Sequence, residues 1–185
     1  MNDDIFRRFY TALPHISGWI DEFLNDHAAQ SQAVCTLGFT RLSASFSQEF
    51  LERAKVVTVA SVPFPPVAQF GIPELAPIQQ MSFAGITYKD TFFLQQGQSS
   101  ESLHFHELVH VVQWERLGVD NFLLAYGVGL VQFGYKHSPL EQMAYSLQQA
   151  FDNNSLPEDL ISFMERRTDA IWADVAPVLK AIGGA

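Results

Sequence analysis

The amino-acid sequence predicts an α+β fold, mostly helical, with a small sheet or hairpin ahead of one histidine-bearing helix. Three observations carry that expectation. The clear strand patterns all precede residue 100, apolar residues beyond it recur at helical spacing, and one helix after the strands contains the pattern His106-Glu107-Leu108-Val109-His110.

Taken in order, residues 3–13 place Ile5, Phe6, Phe9 and Tyr10 at helical spacing before Pro14 interrupts. A second helix is expected over 15–37, with Ile16, Trp19, Ile20, Phe23 and Leu24 as its apolar stripe and Gly38 as its stop. Residues 39–46 read as strand or loop, 47–54 as a short helix, and 55–60 as a strand rich in β-branched side chains. Residues 62–77 hold five of the nine prolines, which excludes regular helix or central strand and suggests a stiffened connection over the core. Residues 85–88 and 91–95, separated by Lys89-Asp90, form a hairpin pattern.

Ser99 or Ser100 then caps the histidine-bearing helix, and Glu101 suits the positive end of its dipole. After Gly118 a hydrophobic helix is expected over 121–135, another from Ser138 to about residue 152, one opening at Ser155, and a last one following Thr168 with a kink or break at Pro177. Residues 1–185 are expected to form a single domain, with 1–80 as an N-terminal helical covering region and 81–185 as the core around the motif.

Composition narrows the function classes. Hydrophobic residues make up 48% of the chain and charged ones 17%, as in a well-packed globular protein rather than a disordered one. A net charge of −9 without a Lys/Arg cluster argues against nucleic acid as a partner. The single cysteine, Cys35, excludes an intramolecular disulfide and a cysteine-built zinc site. The longest apolar stretch, residues 122–133, is too short for a membrane span and is broken by Gly127, Gly129 and Gln132. The acidic opening Met1-Asn2-Asp3-Asp4 carries no signal-peptide pattern, and a cytoplasmic location is the expectation.

H-E-x-x-H prescribes a chemistry as well as a shape. On a helix the two histidines stand one turn apart and roughly 40° apart in azimuth, so both imidazoles can reach one ion. Glu107 lies about 100° further round, beside that ion, where it can take a proton from water. Phe105, Leu108, Val109 and Val112 share one side of the helix, and His106, Glu107, His110 and Gln113 share the other. The expectation is a core face opposite a liganding face.

Catalytic zinc commonly has three protein ligands, and Glu141 on the helix after a helical hairpin is the natural third. A rival role is open to it. Ser138-x-x-Glu141 is also a capping box, in which the carboxylate folds back onto the Ser138 N–H. His104, two residues from His106, points away from any ion shared with His110. His137, Tyr126, Tyr135 and Tyr145 are candidates for stabilising an oxyanion, and the pattern does not choose among them.

The set Gly85-Ile86-Thr87-Tyr88, Phe92-Phe93-Leu94, His106-Glu107-x-x-His110-x-x-Gln113 and Glu141-x-x-Ala144-Tyr145 resembles the zincin metallopeptidases of gluzincin type and small bacterial H-E-x-x-H domains. The resemblance covers residues 85–150. It implies a zincin-like core, Zn2+ held by His106, His110 and Glu141, and Glu107 as general base in hydrolysis of a peptide or protein substrate. It also implies that residues 92–95 are the strand beside the substrate. One departure stands out: gluzincins carry an aspartate four residues after the ligand glutamate to orient a zinc histidine, and Tyr145 occupies that position here. A non-catalytic zinc-binding interaction domain on the same fold is the alternative expectation.

Overall fold

The computed structural model describes residues 2–183. Along the chain run α1 (Asn2–His27), β1 (Gln32–Ala33), α2 (Thr40–Ser45), α3 (Gln48–Arg53), β2 (Lys55–Val59), α4 (Ala76–Gln79), β3 (Gly85–Tyr88), β4 (Thr91–Gln95), α5 (Glu101–Phe133), α6 (Pro139–Asp152) and α7 (Leu160–Gly183). The result is an α+β fold, mostly helical, with one small sheet preceding the motif helix.

The sheet has the order β1-β2-β4-β3, with β2 parallel to β4 and both outer pairs antiparallel. β4 is therefore interior, and Thr91, Phe92, Phe93 and Leu94 are all buried. Its unbroken apolar run follows from burial on both faces. Phe93 and Val57 pack with α1 and the later part of α5, whereas Phe92, Leu94 and Val56 pack with α3, α6, α7 and the earlier part of α5. The period of two along each strand thus separates two hydrophobic clusters.

α5 is the axis between them. It packs against α1, α6, α7 and β3, and it is two arms rather than one rod, because Gly118 sits at φ 72°, ψ 173° inside it. That region of backbone space is open essentially to glycine alone. The break at Gly118 separates the motif arm, 101–117, from the hydrophobic arm, 119–133, as the sequence suggested.

Four expectations are corrected. α1 runs uninterrupted through Pro14 and ends at His27, not near residue 37, and α7 runs through both Thr168 and Pro177 as one helix. The carbonyls that lose their partners at the two prolines belong to Tyr10 and Ala173, both exposed residues, so water is at hand to replace each bond. Thr168 donates its hydroxyl to Met164 O at 2.8 Å, inside the helix it was expected to open. Gly38 does take the left-handed conformation, φ 73°, but it closes a short 3-10 turn over Val34–Leu37.

Residues 40–45, read as strand or loop, are the helix α2. Glu101 Oε1 accepts from the Arg41 and Leu42 N–H groups at 2.8 and 2.9 Å, capping α2 from some sixty residues away. The proline-rich connection carries little regular structure, as expected, and is pinned by buried Val67, Ile72 and Leu75 and by the Arg8–Glu74 ion pair.

A Cβ built on Gly118 meets no atom within 4 Å, so its substitution isolates the backbone cost. Gly118→Ala is expected to lower stability by about 1–3 kcal/mol in denaturant unfolding.

Candidate metal centre

Every residue from His104 to Trp114 is buried. The expected contrast between a core face and an open liganding face is therefore replaced by burial all round: α6, β3 and the second arm of α5 close over the polar side. A helix so enclosed is normally apolar throughout, and each polar group on this one has a partner.

Three donor groups converge on one point. His106 Nε2 lies 3.2 Å from His110 Nε2, and Glu141 places Oε2 3.6 Å from His106 Nε2 and Oε1 3.5 Å from His110 Nε2. These ligand atoms all fall within 4.8 Å of one another. Two donors each about 2.1 Å from a tetrahedral zinc ion lie about 3.4 Å apart, so the donor set fits such an ion.

The far nitrogens fix the tautomers. His110 Nδ1 is 2.8 Å from Gln113 Oε1 and His106 Nδ1 is 3.1 Å from Gln148 Oε1. An amide oxygen can only accept, so each Nδ1 carries a proton and Nε2 is the nitrogen left to present a lone pair to a metal ion, once any proton on it has been displaced. Gln113 in turn donates to Leu140 O at 3.1 Å, and Gln148 donates to Ser102 Oγ at 3.0 Å. Two glutamines thus hold the outer nitrogens of the two imidazoles. Tyr145 itself packs its ring 4.6 Å from that of His106.

Glu141 does not close a capping box. Ser138 makes no side-chain bond as the N-cap of α6. Glu141 Oε1 accepts from the Tyr126 hydroxyl at 2.6 Å, while Oε2, in a residue only 3% exposed, has no hydrogen-bond partner. Burial opposes ionisation of this carboxyl, but the two imidazoles 3.5 and 3.6 Å away, His110 above all, hold it far below the usual carboxylate range. Burial likewise acts to lower His110, and Glu141 overrides it, pushing the imidazole up to about 9.

Glu107 stands beside this group. Thr87 Oγ1 lies 2.7 Å from its Oε2 and 3.2 Å from its backbone carbonyl. Burial raises the carboxyl above its ordinary range, opposed by the two histidines and the Thr87 bond, which suits a proton acceptor. Gly85 makes the close approach possible, since a Cβ there would overlap Glu107 Oε1 and lie 2.8 Å from Leu94 Cδ2.

No family model, curated protein or solved structure matches this chain.

The pocket over the centre is small, about 60 Å³, and largely apolar, with Phe64, Phe83, Trp114, Tyr126 and Tyr135 among its walls. Of the other sequence candidates, Tyr126 has its hydroxyl on Glu141, Tyr135 lines the pocket, and Tyr145 is 45% exposed beside His106. His137 is exposed and outside the pocket lining. His104 Nδ1 donates to Ser100 O at 2.8 Å and the ring packs between Phe39 and Phe92, a structural role. Residues 92–95 cannot be the substrate-side strand, because β4 is paired on both edges; β3 is the strand at the free edge nearest the centre.

Sequence reasoning named Gly85 and Thr87 only as part of the hairpin strand, without a role at the site, and missed Gln148. Gln148 could have been found, being two helical turns after Glu141 and so on the same face of α6. Nothing in the strand pattern marks Thr87, whose role arises only when β3 docks on α5.

Among the described residues no helix is long and apolar enough to cross a membrane.

Two outcomes test the centre. Glu141→Gln is expected to leave helix content unchanged and to weaken zinc binding by at least 10-fold in competition titrations, because no cap depends on this carboxylate. The second concerns pH. With His110 raised from 6.5 to about 9, its contribution to the metal-free fold is full below about pH 6.5 and fades as pH rises through 9. With Glu141 lowered from 4.5, its contribution is present above that value and is lost as pH falls through its depressed folded value. The melting temperature of metal-free protein should therefore fall from pH 7 to 9 while zinc affinity rises, as the ion displaces the His110 proton.

Proposed function

We propose that this chain is a zinc-dependent metallopeptidase. The observation that carries the reading is the convergence of His106 Nε2, His110 Nε2 and Glu141 from two helices, with Glu107 tethered to Thr87 beside them. A zinc ion held by these three residues would supply Lewis acidity, polarising a carbonyl and acidifying a water.

The remaining chemistry belongs to the chain. Glu107 accepts the proton of the attacking water as the new C–O bond forms, and returns it to the amide nitrogen as the C–N bond breaks. The Thr87 hydroxyl holds the carboxylate in place through both transfers. Gln113 and Gln148 keep the imidazoles from rotating. Register supports a path for an extended peptide: Tyr88 pairs with Thr91 across the turn and Gln95 N–H donates to Ala84 O, so the N–H groups of Gly85 and Thr87 point away from β4. An added strand would pair through these N–H groups, since Thr87 O on the same edge is already taken by Trp114 Nε1–H.

A second reading has one observation in its favour. A volume of about 60 Å³ holds only a few waters, which suits a non-catalytic zinc-binding interaction domain as well as an enzyme whose Phe64 and Phe83 rings part for substrate.

Glu107→Gln separates the two. In a peptide-library cleavage assay the wild-type protein is expected to cut, a chelator to stop it, and the variant to lose at least 100-fold in rate while still holding one equivalent of zinc. Cleavage undiminished in the variant would overturn the assigned base, and no chelator-sensitive cleavage by the wild type would favour the interaction domain.

A further inference from the structure

A zinc site of the His₂Glu type depends on how its carboxylate presents itself. With one oxygen on the ion, the fourth position stays open; with both, it is filled. Glu141 has asymmetric surroundings. Oε1 accepts the Tyr126 hydroxyl at 2.6 Å and lies 3.5 Å from His110 Nε2, whereas Oε2 is buried without any hydrogen-bond partner, 3.6 Å from His106 Nε2.

Tyr126 is itself held. Its ring stacks on Phe122 with centroids 5.7 Å apart and planes 15° apart, and Phe122 stacks on Trp114 at 3.9 Å and 19°. Trp114 is anchored by its Nε1–H donating to Thr87 O at 3.1 Å. A rigid column of three rings therefore runs from the sheet edge to the phenol oxygen. Such a column fixes the direction of the hydroxyl more tightly than a free tyrosine would.

We infer that Tyr126 is a positioning residue that, by donating to Oε1 of Glu141, leaves Oε2 as the oxygen without a competing hydrogen bond to hold a divalent metal. This role differs from oxyanion stabilisation, for which its hydroxyl would have to be free. The inference rests on the metal reading of the site and not on hydrolysis. It assigns to the second arm of α5 a function that its hydrophobic sequence does not announce. The reversal at Gly118 is what brings that arm, and Tyr126 with it, back over the motif arm and toward α6.

The test uses the full-length protein, zinc competition titrations and the visible spectrum of the Co2+ form. Tyr126→Phe removes one oxygen and keeps the ring column. It is expected to weaken zinc binding by about 10- to 100-fold, the range for losing an outer hydrogen bond to a ligand. Its Co2+ absorption should also weaken toward that of a five-coordinate ion, as Oε1 turns to the metal. Phe122→Leu loosens the column without touching the hydroxyl, and should shift affinity and spectrum the same way to a smaller extent. Circular dichroism of both metal-free variants is expected to match the wild type; should Tyr126→Phe fail to fold, Phe122→Leu carries the test. A wild-type spectrum with zinc affinity within twofold in the folded variants overturns the role of Tyr126. Wild-type protein that binds neither zinc nor Co2+ overturns the metal centre itself, a separate result.

Discussion

A carboxylate buried beside two imidazoles is the constraint on which the rest of this structure depends. Removing a charge from water is costly unless hydrogen bonds and opposite charge replace what is lost. Here the replacement comes from separate places: Tyr126 on the second arm of α5, the two histidines on the first, and Gln148 from α6 behind His106. For all of them to meet, α5 must break at Gly118 and α6 must begin at Pro139 with its first turn against the motif arm. The left-handed, extended glycine conformation is the local cost of that meeting.

Thr87 joins the sheet to the centre. Its hydroxyl reaches Glu107, and its carbonyl accepts from Trp114, the foot of the ring column that ends at Glu141. Glu107 and Glu141 are thus referred to one strand residue. Because β3 is hydrogen-bonded along its inner edge to β4, and β4 is buried on both faces, that residue is set by the most rigid part of the fold. Gly85, two residues away on the same face, leaves the room that the Glu107 carboxylate fills.

What could be read in advance was local. The hairpin, the strand expected over 55–60 and found at 55–59, the cap expected at Ser99 or Ser100 and found at Ser100, and the break at Gly118 all rest on residues within a few positions of one another. The convergence of His106, His110 and Glu141 was legible for a related reason: helical spacing fixes the first two, and a hairpin of helices returns the third. What was misread depended on distant partners or on solvent. α2 owes its start to Glu101, prolines 14 and 177 are tolerated because the carbonyls they orphan belong to exposed residues, and β4 lost the substrate-side role because β2 covers its other edge. The capping box failed for the opposite reason. Its residues were adjacent, but a tyrosine fifteen positions upstream competed for the carboxylate.

That competition also bears on why Glu141 is there at all. A glutamate at the start of α6 could have closed its cap locally, gaining on the order of 1 kcal/mol. Instead Ser138 Oγ and Glu141 Oε2 are both buried without partners, and an unsatisfied buried polar atom costs about 1–3 kcal/mol. Stability alone would favour a shorter or apolar side chain at this position, since buried ion pairs are often no better than well-packed hydrophobic residues. The arrangement makes physical sense when the oxygen is reserved for a cation. Two imidazole lone pairs aimed at the same point, 3.2 Å apart, carry the same implication, because each Nδ1 proton is already committed to a glutamine. Under the proposed reading, a metal ion would satisfy all three atoms together, and the local disadvantages of the site become intelligible as the requirements of a ligand set.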